Sequence, residues 1–411
     1  MINHYKLFIS VGEASGDILA ANLMRDLKKI PNYKFKFYGI AGERMISEGG
    51  IKSLFPSKEL AIMGYLEIIP KIFKILFRLF QTILYIKKLM PDLIITVDSP
   101  GFNFLLVKLV KKFLNLDIAI IHYVAPTVWA YKPERAQKCA ELFNHMLVIF
   151  PFEKKYFDKV GLKCSYVGNP TIESGSDYGQ INKDDIRKEY GLIGKKIITI
   201  IPGSRKNELK YHLPVLREYM DELCKKYKNI FFILPTLGHL EKQIKRYLKH
   251  DNLIICKDDR DKNNLINISD LILCKSGTSV LESITKKVPI IVFYKMNRFT
   301  AYIIKKKLKI SYVAICNIVM NKSIIPELLQ DNFNVRNLLL ESEKFINNKE
   351  KVTQQLKDIE LFLTKFDSSK IERQKASEVI LSYLEGALAS IKENKALLSK
   401  YSVKEEMYIH R

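Results

Sequence analysis

Short, wholly hydrophobic runs alternate along the chain with longer segments whose hydrophobic residues recur every three or four positions. The short runs are typical of strands buried on both faces, and the longer segments are typical of amphipathic helices. In the first half, the predicted strands are Lys6–Val11, Lys34–Gly39, Leu93–Val97, Ile118–Tyr123, His145–Phe150 and Cys164–Val167. Because helices separate these strands, we predict a parallel, doubly wound sheet.

The same pattern begins again in the second half. Its predicted strands are Lys196–Ile201, Ile230–Leu234, Leu253–Cys256, Leu271–Cys274 and Pro289–Tyr294. The polar stretch from Gly168 to Lys188 has the composition of a linker, and from Val335 onward only helical periodicity remains. We therefore predict an α/β protein of two Rossmann-like, doubly wound domains, residues 1–170 and 171–345, facing across a cleft. C-terminal helices at 346–411 are expected to pack back on the first domain and to end in a loose tail.

The net charge of +23 at pH 7 suits an anionic partner, such as a nucleic acid, a membrane surface or an acidic substrate. The sequence has no RGG repeat and no helix-turn-helix or zinc-finger spacing, so we predict no nucleic-acid partner. The six cysteines are scattered without a C-x-x-C motif, which is typical of reduced thiols in a cytoplasmic protein. No signal peptide is predicted, because the run Leu7 to Val11 leads directly into a glycine turn.

A turn of small residues after the predicted strand Leu271–Cys274 has the composition of an anion-binding loop. Ser276 or Thr278 can cap the helix that follows, and Gly277 allows a ligand to approach the backbone closely. The amides of the first helical turn then favour an anion. Glu282 lies one turn further along the helix, where it can accept hydrogen bonds from hydroxyl groups. A phosphate beside a diol indicates a nucleotide.

A second loop of this kind follows the first strand of the second half, in the segment Pro202-Gly203-Ser204-Arg205. Gly203 opens the backbone, and the Arg205 guanidinium can hold a diphosphate through two parallel hydrogen bonds. The two loops together predict a single diphosphate site that lacks the lysine of a P-loop.

Candidates for a general base lie at the ends of predicted strands in the first half. Asp98 closes the strand Leu93–Val97, where a carboxylate can take a proton from an attacking hydroxyl; the alternative is a cap for the helix near Asn103. Glu13 and Asp17 lie in the turn after the first strand, although Asp17 is also well placed to start its own helix. His122 can orient a base or bind a phosphate, but a lone histidine is more often structural.

Nucleophilic and metal chemistry have weaker support in the sequence. There is no G-x-S-x-G motif, and no cysteine has an evident activating histidine. Asp259-Arg260-Asp261 has the spacing of a metal-binding D-x-D motif, but it lies in a charged run typical of a solvated loop. We therefore predict neither a metal nor another cofactor.

The segment from Pro70 to Lys88 combines a polar stripe with a broad apolar face. It is too charged to span a bilayer, yet its composition fits binding at a membrane interface or to acyl chains. The alternative is a core helix with one solvated face. The polar stripe is formed by Lys71, Lys74, Arg78, Gln81, Tyr85 and Lys88, and the apolar face includes Phe73, Phe77 and Phe80.

Several short motifs in a fixed order resemble the lipid-A-disaccharide synthase family over residues 5 to 340. They are Gly12 to Asp17, Met63-Gly64 with Glu67, Asp98 to Asn103, His122 to Ala130, Pro151-Phe152-Glu153, Gly168-Asn169-Pro170, Pro202 to Arg205, Ser276-Gly277-Thr278 with Glu282, and Pro326 to Gln330. The resemblance implies a GT-B fold and an inverting, metal-independent glycosyl transfer. It also implies UDP-2,3-diacylglucosamine as donor and 2,3-diacylglucosamine 1-phosphate as acceptor, joined in a β-1,6-linked disaccharide with release of UDP.

The resemblance assigns Asp98 as the base and places Asn317 and Gln330 near the donor. It implies a cytoplasmic enzyme attached to the inner face of the inner membrane. Assembly into a homodimer is compatible with this expectation. Lys275 and Cys316 depart from the family pattern, in which a small or apolar residue and a proline are common at these positions.

Two alternatives remain open at this stage. One is a different enzyme on the same fold, such as a UDP-sugar epimerase or a peptidoglycan-type transferase. The other is a non-catalytic protein that binds a membrane or nucleic acid.

Overall fold

The computed structural model describes residues 2–60, 72–114, 117–130, 132–174, 182–257, 259–307, 310–366 and 371–386. The chain divides into two compact units. The first unit comprises Met1–Gly168 with the described residues 371–386, and the second unit comprises Asn169–Asp367. Each unit contains one six-stranded sheet, and its paired strands run parallel.

In the first unit the strands lie in the order β2-β1-β3-β4-β5-β6. They are β1 Asn3–Val11, β2 Tyr33–Ile40, β3 Leu93–Val97, β4 Ala119–Tyr123, β5 His145–Val148 and β6 Cys164–Tyr166. The helices are α1 Ala14–Lys28, α2 Glu43–Glu48, α3 Ile72–Leu89, α4 Pro100–Leu114, α5 Arg135–Leu142 and α6 Lys154–Asp158. Residues 376–386, called α17 below, are also helical.

In the second unit the order is β12-β11-β10-β7-β8-β9. The strands are β7 Lys196–Ile201, β8 Ile230–Pro235, β9 Leu253–Cys256, β10 Leu271–Lys275, β11 Ile290–Tyr294 and β12 Glu327–Leu329. The helices are α7 Pro170–Ser174, α8 Lys183–Glu189, α9 Lys206–Lys226, α10 Glu241–Tyr247, α11 Asp259–Asn267, α12 Thr278–Ile284, α13 Arg298–Lys307, α14 Ile315–Met320, α15 Val335–Ile346 and α16 Lys349–Leu363.

Both faces of the first sheet are covered by helices, which explains why its strands are continuous hydrophobic runs. Leu7 and Ile9 of β1 point to one side, where they join a core with residues of α1 and α17. Phe8 points to the other side and packs in a second core with residues of α3 and α4. Successive side chains of one strand therefore supply two separate cores.

The predicted α/β class and the parallel sheets are confirmed, and each predicted strand is present. Strand β12 was not among the predictions, because three residues carry too little periodicity to be recognised. Helix α9 begins at Lys206 and continues through Pro214. Within residues 346–411, α16 belongs to the second unit, whereas residues 376–386 belong to the first.

Candidate functional site

The carboxyl ends of β1 and β3 bring two predicted base candidates to the same edge of the first sheet. Val11 pairs with Val97 in the register of these parallel strands, so Glu13 and Asp98 follow directly on neighbouring strands. Both side chains are half-buried. Helix α4 begins only at Pro100, so Asp98 lies outside its first turn.

The backbone at Asp98 is strained. Asp98 and Ser99 have φ angles of +49° and +47°, a left-handed conformation that costs a non-glycine residue about 1–3 kcal/mol. The fully buried Asn103 holds this turn, because its Nδ2 donates to the carbonyl oxygens of Asp98 (2.8 Å) and Val97 (3.2 Å). Its Oδ1 accepts a hydrogen bond from Ser10 Oγ at 2.7 Å. A strained strand end held by a buried amide is typical of a functional position.

Gly12 lets the turn after β1 lie against the turn after β3. A Cβ atom at Gly12 would lie 2.3 Å from Ser99 Oγ, far closer than any real contact. The glycine of this motif is therefore needed for the close approach of the two strand ends that carry Glu13 and Asp98.

Asp17 has a structural role other than the one predicted. Its carboxylate accepts hydrogen bonds from the backbone N–H groups of Gly42 (3.0 Å), Arg44 (2.8 Å) and Met45 (3.1 Å). It therefore caps the start of α2 rather than the start of its own helix.

His122 is completely buried beneath the same edge. Its Nδ1 lies 2.7 Å from Thr96 Oγ1, and its ring stacks on Phe143 and meets the edge of Phe104. Burial lowers the pKa of His122 to about 3, so the imidazole is neutral. These surroundings are those of a core histidine, and they do not support His122 as a base or a phosphate ligand.

The only tryptophan of the chain lies in the segment after β4 and is anchored by a buried carboxyl. Trp129 Nε1 donates to Glu153 Oε1 at 3.1 Å, and Glu153 Oε2 accepts from the Phe150 N–H at 3.2 Å. Burial raises the pKa of Glu153 to about 8, although both hydrogen bonds oppose the shift. The family motifs around Trp129 and Glu153 thus meet in space.

In the second unit, a carboxylate that sequence reasoning missed organises the predicted diphosphate loop. Glu208, on the first turn of α9, is almost fully buried. Its Oε2 accepts from the Ser204 N–H at 2.9 Å, and its Oε1 lies 3.2 Å from Arg205 Nη1. Gly203 has a φ of +129°, and a Cβ there would lie 2.4 Å from Glu208 Oε2. Gly203 is therefore required by the carboxylate beneath it.

The second predicted loop follows β10, the direct neighbour of β7 in the sheet. Gly277, with a φ of +140°, occupies the N-cap position of α12, and no side chain caps the helix. The predicted cap by Ser276 or Thr278 is therefore wrong. Gly277 and Thr278 are exposed, and Ser276 is tied to β11 through its N–H and the Phe293 carbonyl oxygen at 3.0 Å.

His212 of α9 joins strand ends on either side of β10. Its Nδ1 donates to the Pro202 carbonyl oxygen at 2.6 Å, and its Nε2 accepts from the Lys295 N–H at 3.1 Å. Burial lowers the pKa of His212, which keeps the ring in this neutral tautomer. Beyond Lys295, Gln330 Oε1 accepts from the Met296 N–H at 3.4 Å, so the end of β12 joins the same edge.

Two residues expected to bind the donor form an ion pair or hydrogen bonds within the protein itself. Glu282 forms an ion pair with Lys262. Asn317 is fully buried: its Nδ2 donates to the Ile325 carbonyl oxygen (2.8 Å) and to Glu327 Oε1 (2.9 Å), and its Oδ1 accepts from two backbone N–H groups. Asn317 therefore shapes the segment before β12, and it has the surroundings of a structural residue.

Helix α3 exposes a row of large apolar side chains. Phe73, Phe77 and Phe80 are 82%, 61% and 62% exposed, whereas Leu79 and Ile83 of the opposite face are buried. Among the described residues, no helix is long and apolar enough to span a membrane. The part of the predicted segment before Ile72 lies outside the described residues.

Two of the predicted cations of this helix, Lys74 and Arg78, pair with a carboxylate of the protein. Arg78 Nε and Lys74 Nζ lie 2.8 Å and 3.2 Å from carboxylate oxygens of Glu59, and Arg78 also lies over the Phe55 ring at 4.7 Å. Glu59, which precedes the helix, is the partner that the sequence pattern alone did not reveal.

No group of three or more His, Cys, Asp or Glu side chains suited to a metal ion occurs among the described residues. In the D-x-D motif, Asp261 accepts a hydrogen bond from the Tyr190 hydroxyl at 2.8 Å, while the side chains of Asp259 and Arg260 lie outside the described part of the chain. The motif Met63-Gly64 with Glu67 also lies outside it.

Solved structures with the same architecture include a nucleotide-sugar epimerase and a glycotransferase. A UDP-GlcNAc 2-epimerase from Neisseria meningitidis bound to UDP-GlcNAc superposes with a TM-score of 0.61 at 16% identity, covering 94% of this chain and 100% of that chain. The glycotransferase of kitacinnamycin superposes with a TM-score of 0.58 at 12% identity, covering 93% and 99%. At these identities the likeness establishes the fold, which is the predicted two-domain GT-B architecture.

Sequence comparison identifies the family. The profile described as lipid-A-disaccharide synthetase matches residues 7–381. The lipid-A-disaccharide synthase of Rickettsia prowazekii is 35% identical over 91% of this chain and 98% of its own length, and that of Granulibacter bethesdensis is 37% identical over 79% and 82%. The predicted resemblance is confirmed: the chain belongs to the lipid-A-disaccharide synthase family of glycosyltransferases.

Proposed function

We propose that this protein transfers the sugar of UDP-2,3-diacylglucosamine to 2,3-diacylglucosamine 1-phosphate, forming a β-1,6-linked disaccharide and releasing UDP. The observation that carries the proposal is the set of loops at the ends of β7, β10, β11 and β12 in a chain of this family. Arg205, the positive-φ glycines Gly203 and Gly277, and the exposed start of α12 lie at adjacent strand ends there, as a diphosphate requires.

We propose an inverting reaction without a metal. The acceptor hydroxyl attacks the anomeric carbon from the side opposite UDP, its proton passes to the base, and the bond between the anomeric carbon and the diphosphate oxygen breaks. Arg205 and the amides of the first turn of α12 stabilise the negative charge that develops on UDP. Gly203, Ser204, Ser276, Gly277 and Thr278 shape this site, and Gln330 lies beside it.

Glu282 is proposed to bind the ribose hydroxyls. Its carboxylate would accept hydrogen bonds from these hydroxyls while it stays paired with Lys262. Asn317 is proposed to act indirectly, since its four hydrogen bonds hold the segment that leads to β12 and Gln330.

Asp98 is the proposed base. Its carboxylate lies at the strained strand end that Asn103 holds, and such preorganisation fixes a base relative to the hydroxyl it must reach. Glu13 at the neighbouring strand end is the second candidate. His122 is left out of the proposed machinery, because its buried ring stays neutral and packs between aromatic side chains.

The exposed row of α3 is proposed to contact the inner membrane from the cytoplasmic side, where both acylated substrates would reside. Three exposed phenylalanines on one helical face suit insertion into the boundary between headgroups and acyl chains. A homodimer is compatible with this arrangement and is not needed for it.

Product analysis tests the proposal. Purified protein is incubated with both substrates in detergent micelles, and UDP and the glycolipid are quantified together. We expect equal amounts of UDP and disaccharide, and a loss of rate of about 10²- to 10⁴-fold in Asp98→Asn. Asp92→Asn is the matched control, since Asp92 lies at the opposite end of β3 and accepts the Lys6 N–H. Conversion of the UDP-sugar without acceptor would instead favour the epimerase alternative, and full activity of Asp98→Asn would exclude Asp98 as the base.

A further inference from the structure

Lys275 ends β10 with its ammonium group buried beneath the proposed diphosphate loop. Its side chain is only 10% exposed, and Nζ lies 3.2 Å from Glu208 Oε1. A Cβ atom built on Gly277 would lie 3.0 Å from the same Nζ, so the ammonium sits directly under the start of α12. A lysine buried at a strand end requires a specific reason, because removing its charge from water is costly.

Glu208 is the carboxylate that two cations share. Lys275 Nζ and Arg205 Nη1 both lie 3.2 Å from Oε1, while Oε2 accepts the Ser204 N–H. Burial alone would raise the pKa of Glu208, but the charges of Lys275 and Arg205 lower it below its usual range. Two cations therefore share one carboxylate at the place proposed for the diphosphate.

The two cations differ in what they can reach. The Arg205 side chain is 26% exposed at the start of α9, so it can turn toward a ligand. Lys275 is enclosed and stays with Glu208. Without Lys275, Glu208 would keep Arg205 as its cation. Arg205 could then bind a diphosphate only by leaving the buried, ionised Glu208 without either of these two cations.

We propose that Lys275 is a positioning residue that neutralises Glu208 and thereby releases Arg205 to bind the diphosphate of the donor. The inference rests on the proposed function, because it presupposes that a nucleoside diphosphate binds these loops. It assigns Lys275 an effect on donor affinity that passes through Glu208, without a contact to the donor itself.

The test is a calorimetric titration of the full chain with UDP. For Lys275→Met we expect the Kd for UDP to rise by about 10- to 100-fold, since Arg205 remains committed to Glu208. Lys275→Arg keeps the charge and is expected to bind within about threefold of the wild type. The matched control is Arg187→Met, which removes a half-buried ion pair with Asp270 at the opposite ends of β7 and β10 and is expected to leave the Kd unchanged.

A double-mutant cycle with Glu208→Gln separates positioning from a structural role. Without the carboxylate no cation is needed, so Glu208→Gln and the double variant K275M/E208Q are expected to bind UDP equally. This comparison also decides the matter if Lys275→Met alone does not fold. A Kd of Lys275→Met equal to that of the wild type, or a tenfold difference between E208Q and K275M/E208Q, would overturn the inference. Absence of UDP binding to the wild type would overturn the proposed donor site as well.

Discussion

Glu153 and Glu208 are both buried carboxyl groups, and their pKa values shift in opposite directions. Glu208 has Lys275 and Arg205 beside it, which offset the effect of burial. For Glu153 burial dominates, and its hydrogen bonds from Trp129 and backbone N–H groups offset burial only in part. Charged partners therefore decide which buried carboxyl is ionised near neutral pH.

The raised pKa of Glu153 predicts a pH-dependent stability. The folded state holds a proton that the unfolded state releases above about pH 4.5, so this contribution to stability falls as the pH rises from about 4.5 to about 8 and then levels off. The slope is at most about 1.4 kcal/mol per pH unit. Glu153→Gln cannot ionise, and we expect this downward contribution to be missing from the pH dependence of its free energy of unfolding, measured with urea at pH 5, 7 and 9.

The emission of the single tryptophan gives a second readout, because Trp129 donates directly to this carboxyl. In the wild type the emission is expected to change with a midpoint near pH 8, and in Glu153→Gln it is expected to stay constant. The exposed Glu141→Gln serves as control and should keep the wild-type slope. Equal slopes in wild type and Glu153→Gln would show that Glu153 titrates normally.

At this scale the sequence identifies residues that follow a hydrophobic strand, such as Asp98 and Arg205, because parallel strands present their ends at one edge. It does not identify the residues whose hydrogen bonds and ion pairs hold these side chains in place. Glu208 is separated from Lys275 by three helix–strand repeats, so their ion pair appears only when β7 and β10 lie side by side. The family resemblance placed Asn317 near the donor, and its four internal hydrogen bonds become visible only in the folded segment.

Among the elements, α3 has two apolar faces with different surroundings. Leu79, Ile83 and Ile86 pack in the core beside β1 and β3, whereas the phenylalanine row is exposed. The sequence predicts the breadth of the apolar surface, but it does not divide that surface between core and solvent. It also leaves out Glu59, which pairs with Lys74 and Arg78 and makes the helix less cationic than its sequence indicates.

Serine substitutions on the exposed face test its proposed contact with lipid. The test protein is a triple variant that combines Phe73→Ser, Phe77→Ser and Phe80→Ser. We expect its binding to vesicles containing phosphatidylglycerol to weaken by at least about 100-fold, because three large apolar side chains no longer insert. The melting temperature should stay nearly constant, since the three side chains are exposed in the folded protein.

The control for this experiment removes exposed leucines from other helices. Leu340 of α15 and Leu361 of α16 are 50% and 55% exposed. The substitutions Leu340→Ser and Leu361→Ser are expected to leave vesicle binding unchanged. Unchanged cosedimentation of the triple phenylalanine variant with vesicles would exclude α3 as the membrane contact.

On the scale of the whole molecule, residues 371–386 complete a unit that begins at the other end of the chain. Val379, Ile380 and Leu384 of α17 are buried in the core formed by β1 and α1. The Tyr383 hydroxyl donates to the Asn144 carbonyl oxygen at 3.1 Å, next to β5. Sequence periodicity predicts a helix here, but it does not reveal which sheet the helix covers.

Truncation of this contact should destabilise the first unit selectively. Ile380→Ala removes a fully buried side chain and is expected to lower the free energy of unfolding of this unit by about 2–5 kcal/mol. Hydrogen exchange measured by mass spectrometry should rise in β1 and β3 and stay constant in β7 and β10. The exposed Leu361→Ala should change stability by less than about 0.5 kcal/mol. Equal protection of β1 in wild type and Ile380→Ala would contradict the assignment of α17 to this core.

The discontinuous first unit has a consequence for the order of events during synthesis. The second unit is a continuous segment, Asn169–Asp367, so all its residues leave the ribosome before α17 does. The first part of this unit therefore waits for α17, and its apolar surface around β1 and α1 stays uncovered until α17 is synthesised. The second unit can therefore finish folding before the first, which reverses the usual order from the N-terminus. During that interval the nascent first unit offers chaperones a hydrophobic surface that the finished protein no longer exposes.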